Sequence, residues 1–537
     1  MDGRLPISRR RFLGHAALGG VALAGIPGIL RAQQAPGVIA SDTGRPTARW
    51  GLQIGDVVAD RAIVWSRADR ASRMLVDWSL DEHFRGAVSV RGPHATEVSD
   101  FTARVDLAGL PADAQVFVRV RFEELDPSGA TSEPLIGRFR TAPKERRGLR
   151  FVFSGDTAGQ GWGIDLGFGG MRLYESMRRV EPDFYINCGD SIYADGPLGP
   201  EVTDVSGNVI WRNAFLEEVP EKLKVAESLR EFQRNYLYNR YDANVQRFSA
   251  EVPQIWQWDD HETVNNWSDS KQLDARYVEK RIRALVANST RAFLDYAPMR
   301  WNSQIESERI YRHIPYGRDL DVFVLDMRSY RGPNGCNRET RPGPNTAYLG
   351  RDQIEWLKSG LERSRATWKV IAADMPLGLV VGDGMDPSGC SRFENSANGD
   401  GPVLGREFEI AEVLSFIKRQ HVRNVVWITA DVHYCAAHHY DPARAQFHDF
   451  DPFWEFVAGP AHAGTFGPAP LDNTFGPQVV FHKHPPVGQG NLPPSAGLQF
   501  FGQVDIDPHS RDMIVALKDL NGETLFSQDL RARDRDD

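Results

Sequence analysis

The chain has 537 residues, 41% of them hydrophobic, and carries a formal net charge of −9 at pH 7. Its length exceeds one ordinary hydrophobic core, so we expect two or three packed units, and its hydrophobic content excludes a disordered chain. The acidic balance leaves no broad basic surface, so we expect neither a nucleic-acid partner nor binding to anionic lipid.

The N-terminus has the pattern of an export signal. Residues 8–13 read Ser-Arg-Arg-Arg-Phe-Leu, and an apolar run of small residues follows over 16–30. That run is shorter than the ~18–20 apolar residues that span a bilayer. The pattern resembles a twin-arginine signal peptide over 1–32, whose partner is the twin-arginine translocase. We therefore expect a periplasmic or secreted protein without a stable membrane span after cleavage. An uncleaved anchor is the alternative.

Residues 42–143 have the pattern of a β-sandwich. Short alternating segments at 61–66, 74–79, 116–122 and 136–141 are separated by Gly, Pro and Asp. Several short strands at this spacing are typical of a sandwich, here of the fibronectin type III kind. The region has no cluster of His, Cys or acidic residues, so a structural or substrate-orienting role is favoured.

Residues 149–530 alternate strands with helices. Amphipathic or helix-favouring segments at 171–180, 225–248, 352–366 and 406–420 lie between apolar runs of strand length. Closing strands follow at 498–506 and 513–517. This alternation predicts an α/β (α+β layered) core.

Short apolar runs that stop at an aspartate recur through this core. The aspartates are Asp156, Asp190, Asp260, Asp326, Asp374 and Asp431. Ligands of open α/β sheets bind beyond the carboxyl ends of such strands, so these carboxylates are expected to converge on one edge. Carboxylates so close together repel one another unless a multivalent cation lies between them. The sequence therefore predicts a metal cluster.

The motifs around these aspartates resemble a known family. They are Asp156-Thr-Ala-Gly, Gly189-Asp190-Ser-Ile-Tyr193, Asp260-His261-Glu262 and Asp431-Val-His433. Their order is similar to that of calcineurin-like metallophosphoesterases. The closest similarity is to the PhoD-like (alkaline phosphatase D) family, with further similarity to purple acid phosphatases at the metal motifs. The resemblance implies that 149–530 is a metallophosphoesterase catalytic domain.

The resemblance also implies a two-metal site. Asp190 would bridge the metals, and Asp156, Tyr193 and His433 would complete the first site. Asp260 and Asp431 would serve the second site, with Asn265 or Asp374 as further candidates. A phenolate, carboxylates and an imidazole suit Fe(III), and the oxygen-rich second site suits Ca²⁺, or Mn²⁺ or Mg²⁺.

Two residues are predicted to act on the substrate. His261 would protonate the leaving-group oxygen, and the alternative is a structural histidine. Arg328 would grip substrate phosphate with its bidentate fork, and the alternative is an ion pair with a neighbouring aspartate. His462, in a Gly- and Ala-rich loop, is either a pocket residue or a structural one.

The implied function is a metal-dependent phosphoric ester hydrolase that acts on small phosphate esters. A phosphodiesterase or phospholipase D-like activity at the same site is the alternative among enzymes. A non-catalytic cell-surface binding protein is the alternative outside them. Cys336 and Cys390 lie in loops, where an oxidising compartment would allow a disulfide, and their pairing stays open.

Overall fold

The computed structural model describes residues 45–126, 129–300 and 309–534 of the chain. The export signal predicted for residues 1–32 lies outside these ranges. From Pro46 onward the chain forms one compact unit. Within the described ranges, no helix combines the length and the apolar character that a membrane crossing requires.

Strands and helices alternate along most of the described chain. In chain order the strands are β1 Leu52–Gly55, β2 Arg61–Arg67, β3 Ser72–Ser79, β4 Val88–Ala95, β5 Thr102–Ala108, β6 Gln115–Glu124, β7 Leu135–Arg140, β8 Leu149–Ser154, β9 Phe184–Cys188, β10 Glu201–Thr203, β11 Val209–Arg212, β12 Gln254–Gln257, β13 Arg312–Pro315, β14 Leu320–Val324, β15 Trp368–Ala372, β16 Gly382–Met385, β17 Ser391–Phe393, β18 Val425–Thr429, β19 Cys435–Tyr440, β20 Phe453–Val457, β21 Pro477–Lys483, β22 Phe500–Ile506, β23 Met513–Asp519 and β24 Thr524–Leu530. The helices are α1 Arg172–Arg179, α2 Leu229–Asn239, α3 Ala243–Glu251, α4 Ile282–Tyr296, α5 Arg351–Arg363 and α6 Glu407–Arg419. The helices predicted at 171–180, 352–366 and 406–420 are confirmed with small shifts at their ends.

The single helix predicted over 225–248 is wrong. The chain forms two helices there, α2 and α3, with a break before Asp242. The Asp242 side chain accepts hydrogen bonds from the backbone N–H groups of Asn244 and Val245, which caps the start of α3. An aspartate cap begins a new helix where the apolar periodicity alone suggested a continuous one.

The first half of the region 149–530 is built on a nine-stranded sheet. Its strand order is β24-β23-β22-β8-β9-β12-β1-β2-β5. The central strands β8, β9 and β12 are parallel to one another, so their carboxyl ends lie at the same edge. Strands β22 to β24 continue the sheet in antiparallel pairing on one side.

A seven-stranded sheet carries the second half, in the order β13-β14-β15-β18-β20-β19-β21. Its strands β14, β15, β18 and β20 are parallel. The apolar runs that end at Asp326, Asp374 and Asp431 form the first three of these strands, so their carboxyl ends also share one edge.

The two sheets face each other across one core, and helices cover their outer faces. Val370 of β15 packs between the sheets with Phe153 of β8, whereas its neighbour Ile371 packs on the other face against Leu357 of α5 and Leu414 of α6. Helices α1 and α3 cover the nine-stranded sheet. Strands buried on both faces explain the continuous apolar runs in the sequence. The predicted layered α/β core is confirmed.

The N-terminal β-rich region packs a four-stranded sheet, β4-β3-β6-β7, on strands β1, β2 and β5. Val64 and Val105 from one layer share a core with Met74 and Val118 from the other. This is the sandwich arrangement that the sequence predicts. The layer formed by β1, β2 and β5 is part of the nine-stranded sheet, because β1 pairs in parallel with β12.

Candidate metal centre

The predicted strand-end aspartates lie at neighbouring edges of the two sheets. Asp156 and Asp190 follow β8 and β9 of the nine-stranded sheet, and Asp431 follows β18 of the seven-stranded sheet. All three have a positive φ, of 66°, 49° and 63°. Aspartate is among the non-glycine residues that tolerate this conformation, in which the chain turns sharply at the strand end. The turn leaves each carboxylate beyond the end of its strand.

One group of ligand atoms consists of Asp156, Asp190 and His433, whose atoms lie within 4.8 Å of one another. The Tyr193 hydroxyl lies 2.7 Å from Nε2 of His433. His433 Nδ1 contacts the carbonyl oxygen of Gly464, and a carbonyl only accepts, so Nδ1 carries the proton. Nε2 therefore directs its lone pair into this group, which is the orientation that metal binding requires.

The charge of Asp156 is not balanced by any Lys or Arg among the described residues. Both of its carboxylate oxygens are buried without a hydrogen bond, and no described Lys or Arg forms an ion pair with it or with Asp190. Burial and nearby Asp259 raise the pKa of Asp156 well above its usual range. A Cβ on Gly459 would lie 2.1 Å from Oδ2 of Asp156, so the absence of a side chain there makes room for the carboxylate. A bound cation would satisfy these oxygens.

A second group consists of Asp190, Asp260 and His261, again within 4.8 Å of one another. Asp190 belongs to both groups, as a bridging ligand requires. The backbone N–H of His261 donates to Oδ1 of Asp190 over 3.1 Å. Burial raises the pKa of Asp260, but His261, Arg328 and the N–H of Asn266 together lower it below its usual range.

His261 is oriented by an aspartate that the sequence analysis missed. Its Nδ1 lies 2.7 Å from Oδ1 of Asp195, and Oδ2 of Asp195 accepts from the backbone N–H of Asn265. Burial lowers the pKa of His261, but the charges of Asp195 and Asp260 raise it by more. The net effect is a pKa of about 10. Nε2 of His261 lies 3.8 Å from Oδ1 of Asp260.

Arg328 lies in a third cluster of carboxylates, which adjoins the second group because a guanidinium nitrogen of Arg328 is 4.0 Å from Oδ2 of Asp260. Its side chain is fully buried, and its guanidinium binds Asp259 and Glu394 and lies 3.4 Å from Asp374. These contacts match the alternative in which Arg328 forms ion pairs with neighbouring carboxylates. A contact between Arg328 and substrate phosphate stays a prediction. Asp374, a candidate ligand in the sequence, belongs to neither of the two metal-capable groups.

Asp431 follows β18 of the seven-stranded sheet. It is absent from the two groups of ligand atoms. Burial, followed by the charges of Asp259, Glu394 and Asp260, raises its pKa well above the usual range. The assignment of Asp431 to the second metal stays a prediction.

Two further carboxylates were missed as site residues. Glu262 accepts from the backbone N–H and hydroxyl of Ser191, each over 2.6 Å, and from the N–H of Asp259. It therefore joins the turns after β9 and β12. Its position in the Asp-Asp-His-Glu motif was a usable signal. Glu394, the partner of Arg328, follows β17 and has no such signal.

The remaining predicted residues have mainly structural contacts. His462 is buried and its Nε2 lies 2.9 Å from the carbonyl oxygen of Gly163. Asn265 is exposed beside His261. Cys336 and Cys390 form a disulfide, which joins the loop after β14 to the β16–β17 hairpin.

Comparisons with known proteins agree with this geometry. Residues 151–517 match the family described as PhoD-like phosphatase, and residues 32–143 match the description PhoD-like phosphatase, N-terminal domain. The chain belongs to the PhoD-like phosphatase family. The first match covers the strands and turns that carry Asp156, Asp190, Asp260 and Asp431.

Individual known proteins are similar to most of the chain. Alkaline phosphatase D of Bacillus subtilis (strain 168) is 26% identical over 406 residues, which cover 71% of this chain and 64% of that protein. The matched region thus spans just under two thirds of this relative. The solved structure of PhoD superposes with a TM-score of 0.65 at 19% identity, over 91% of each chain. A purple acid phosphatase from yellow lupin (Lupinus luteus) seeds superposes with a TM-score of 0.54 at 12% identity, over 92% of this chain and 75% of that one. Both structures share the fold.

Proposed function

We propose that the chain is an exported, metal-dependent phosphoesterase that hydrolyses small phosphate esters. The observation that carries the proposal is the Asp156 carboxylate, buried without a hydrogen bond and within reach of Asp190 and His433. The name of the Bacillus subtilis relative, alkaline phosphatase D, supports the same chemistry.

The proposed ligands divide between two metal positions that share Asp190. The first has Asp156, Tyr193 and His433, and the second has Asp260 and Asp431, with Asn265 or Asp374 as further candidates. A phenolate beside carboxylates and an imidazole favours Fe(III), whereas oxygen ligands alone favour Ca²⁺, or Mn²⁺ or Mg²⁺. Two metals would activate a water and neutralise the charge that grows on the phosphate oxygens.

We assign proton transfer to His261. Asp195 fixes the imidazole by accepting from Nδ1, which leaves the Nε2 proton available for the departing alkoxide. Asp195 is therefore a positioning residue. Arg328 is assigned to charge compensation of Asp259 and Glu394, because these carboxylates already occupy its guanidinium.

A fractionation experiment tests both export and activity. Hydrolysis of a phosphate monoester is expected in the periplasmic or secreted fraction, with weaker hydrolysis of a matched diester. Replacing Arg9 and Arg10 by lysine keeps the charge and is expected to leave active enzyme in the cytoplasm. Metal-loaded protein that hydrolyses neither ester would overturn the proposed activity, and unchanged export of the double variant would overturn the twin-arginine route.

A further inference from the structure

Phe466 is a large apolar side chain that lies partly open to solvent beside the metal centre. Its ring centroid is 5.4 Å from that of His433, with the two ring planes at 67°. The side chain is 36% exposed, although His433 itself is buried. An aromatic ring at the edge of a carboxylate-rich site offers an apolar surface where the neighbouring groups offer charge.

The backbone at Phe466 is held by hydrogen bonds. The backbone N–H of Phe466 donates to the carbonyl oxygen of His433 over 3.2 Å, and the preceding residue, Thr465, accepts from the N–H of Asn491 over 2.7 Å. The backbone that carries the ring therefore needs little ordering when a ligand packs on the ring.

We propose that Phe466 binds the organic group of the ester and makes the enzyme favour phosphate esters of aromatic or bulky apolar alcohols. This inference rests on the proposed function, because it assigns a substrate class to the same centre. The phosphate would lie at the metals, and the organic group would cover the exposed face of the ring. Esters of small polar alcohols cannot cover that face, so they forgo the favourable burial of apolar surface.

Benzyl phosphate and ethyl phosphate provide the test. Both have a primary alkoxide leaving group, so the comparison isolates the contact with the organic group. The wild type is expected to favour benzyl phosphate, mainly through a lower KM. Phe466→Ala is expected to lower kcat/KM for benzyl phosphate about tenfold, and that for ethyl phosphate less than about twofold. Phe466→Trp, which keeps an aromatic face, is expected to retain the preference.

The controls separate a contact from a structural effect. Metal content and inhibition by inorganic phosphate are expected to be unchanged in Phe466→Ala. Ile514→Ala, which alters a side chain of similar exposure on β23, is expected to change neither substrate. If Phe466→Ala loses metal, Phe466→Leu takes its place, because it keeps apolar bulk without the ring.

The outcomes distinguish this inference from the proposed function. Equal losses on both esters, or a wild type with no preference for the benzyl ester, would overturn the role of Phe466. If the metal-loaded wild type hydrolyses neither ester, the proposed function fails. Calorimetric binding of benzylphosphonate and ethylphosphonate then decides on Phe466: preferential binding of the benzyl compound that Phe466→Ala removes would support its role, and equal binding would overturn it.

Discussion

Two neighbouring groups of buried carboxylates differ in how their charge is balanced. Asp259 and Glu394 bind the buried guanidinium of Arg328, so the protein supplies their counter-charge itself. Asp156 and Asp190 have no such cation among the described residues, and both oxygens of Asp156 lack a hydrogen bond. The first group has a counter-charge within the protein, although Oδ2 of Asp259 still lacks a hydrogen bond, whereas no described Lys or Arg supplies a counter-charge to Asp156 or Asp190.

This difference distinguishes a structural ion pair from a ligand site. Buried carboxylates alone do not indicate a metal, since the Arg328 group has them too. What marks the metal centre is that no described Lys or Arg pairs with Asp156 or Asp190, together with an imidazole nitrogen that faces these carboxylates. Uncompensated buried charge is costly, so a chain that keeps it is expected to bind an ion there.

The largest effect is expected for Asp190→Asn. The change removes the negative charge that the shared ligand offers to both metals, so both metals are expected to be lost, and activity with them by on the order of a thousandfold or more. Metal analysis and an ester-hydrolysis assay measure the two losses. Asp183→Asn, at the opposite end of β9, is the matched control and is expected to keep its metals. Retention of two metals and substantial activity in Asp190→Asn would refute the bridging role.

Arg328→Met is expected to destabilise the fold. Removing the guanidinium leaves Asp259 and Glu394 as buried, unpaired charges, which costs about 3–5 kcal/mol in the free energy of unfolding. Denaturant unfolding measures the change. Arg150 is the control, since its ion pair with Asp505 is far more exposed, so Arg150→Met is expected to cost at most about 1 kcal/mol. Equal costs for the two variants would remove the contrast between the two carboxylate groups.

Asp195→Asn is expected to affect turnover without loss of metal. His261 would lose the carboxylate that orients its ring, and kcat is expected to fall about tenfold to a hundredfold, within the contribution of a general acid. KM and metal content are expected to stay near wild-type values. A parallel loss of metal would show that Asp195 supports the ligands and not the proton donor.

Tyr193→Phe is expected to have the smallest effect on stability, about 1 kcal/mol or less, because only a hydroxyl is removed. Its spectroscopic effect is large if iron binds the phenolate, since the visible charge-transfer band would disappear. Tyr316→Phe changes another buried tyrosine, in the core between the sheets, and is expected to keep the colour. A colourless wild type that contains two zinc ions would contradict the iron assignment and leave the phosphoesterase proposal intact.

Local patterns in the sequence were sufficient for the layered core and for the strand-end aspartates. Each apolar run and its aspartate are adjacent in the chain, so one short window contains the whole signal. The break between α2 and α3 was missed because the cap at Asp242 interrupts a region that otherwise favours helix. The pairing of β1 with β12 could not be predicted from local patterns either, because it joins Gly55 to Gln254.

The positioning residues of the site were missed because their contacts join segments that are distant in the sequence. Asp195 meets His261 only after the turns beyond β9 and β12 come together, and no local motif links the two residues. The contacts of Arg328 with Asp259 and Glu394 likewise join three separate segments. A single sequence contains the residue types of such a cluster but not their distances, so the division between ligand site and ion pair required the structure.

The central claim is that the carboxylates around Asp156 and Asp190 hold two metal ions that the reaction requires. The most direct test is to measure the metal-to-protein ratio of wild-type protein purified without chelator, with phosphate-ester hydrolysis assayed on the same sample before and after metal removal. We expect two equivalents of metal, loss of activity as they are removed, and recovery when they are restored. Full activity in protein that contains no metal would contradict the account.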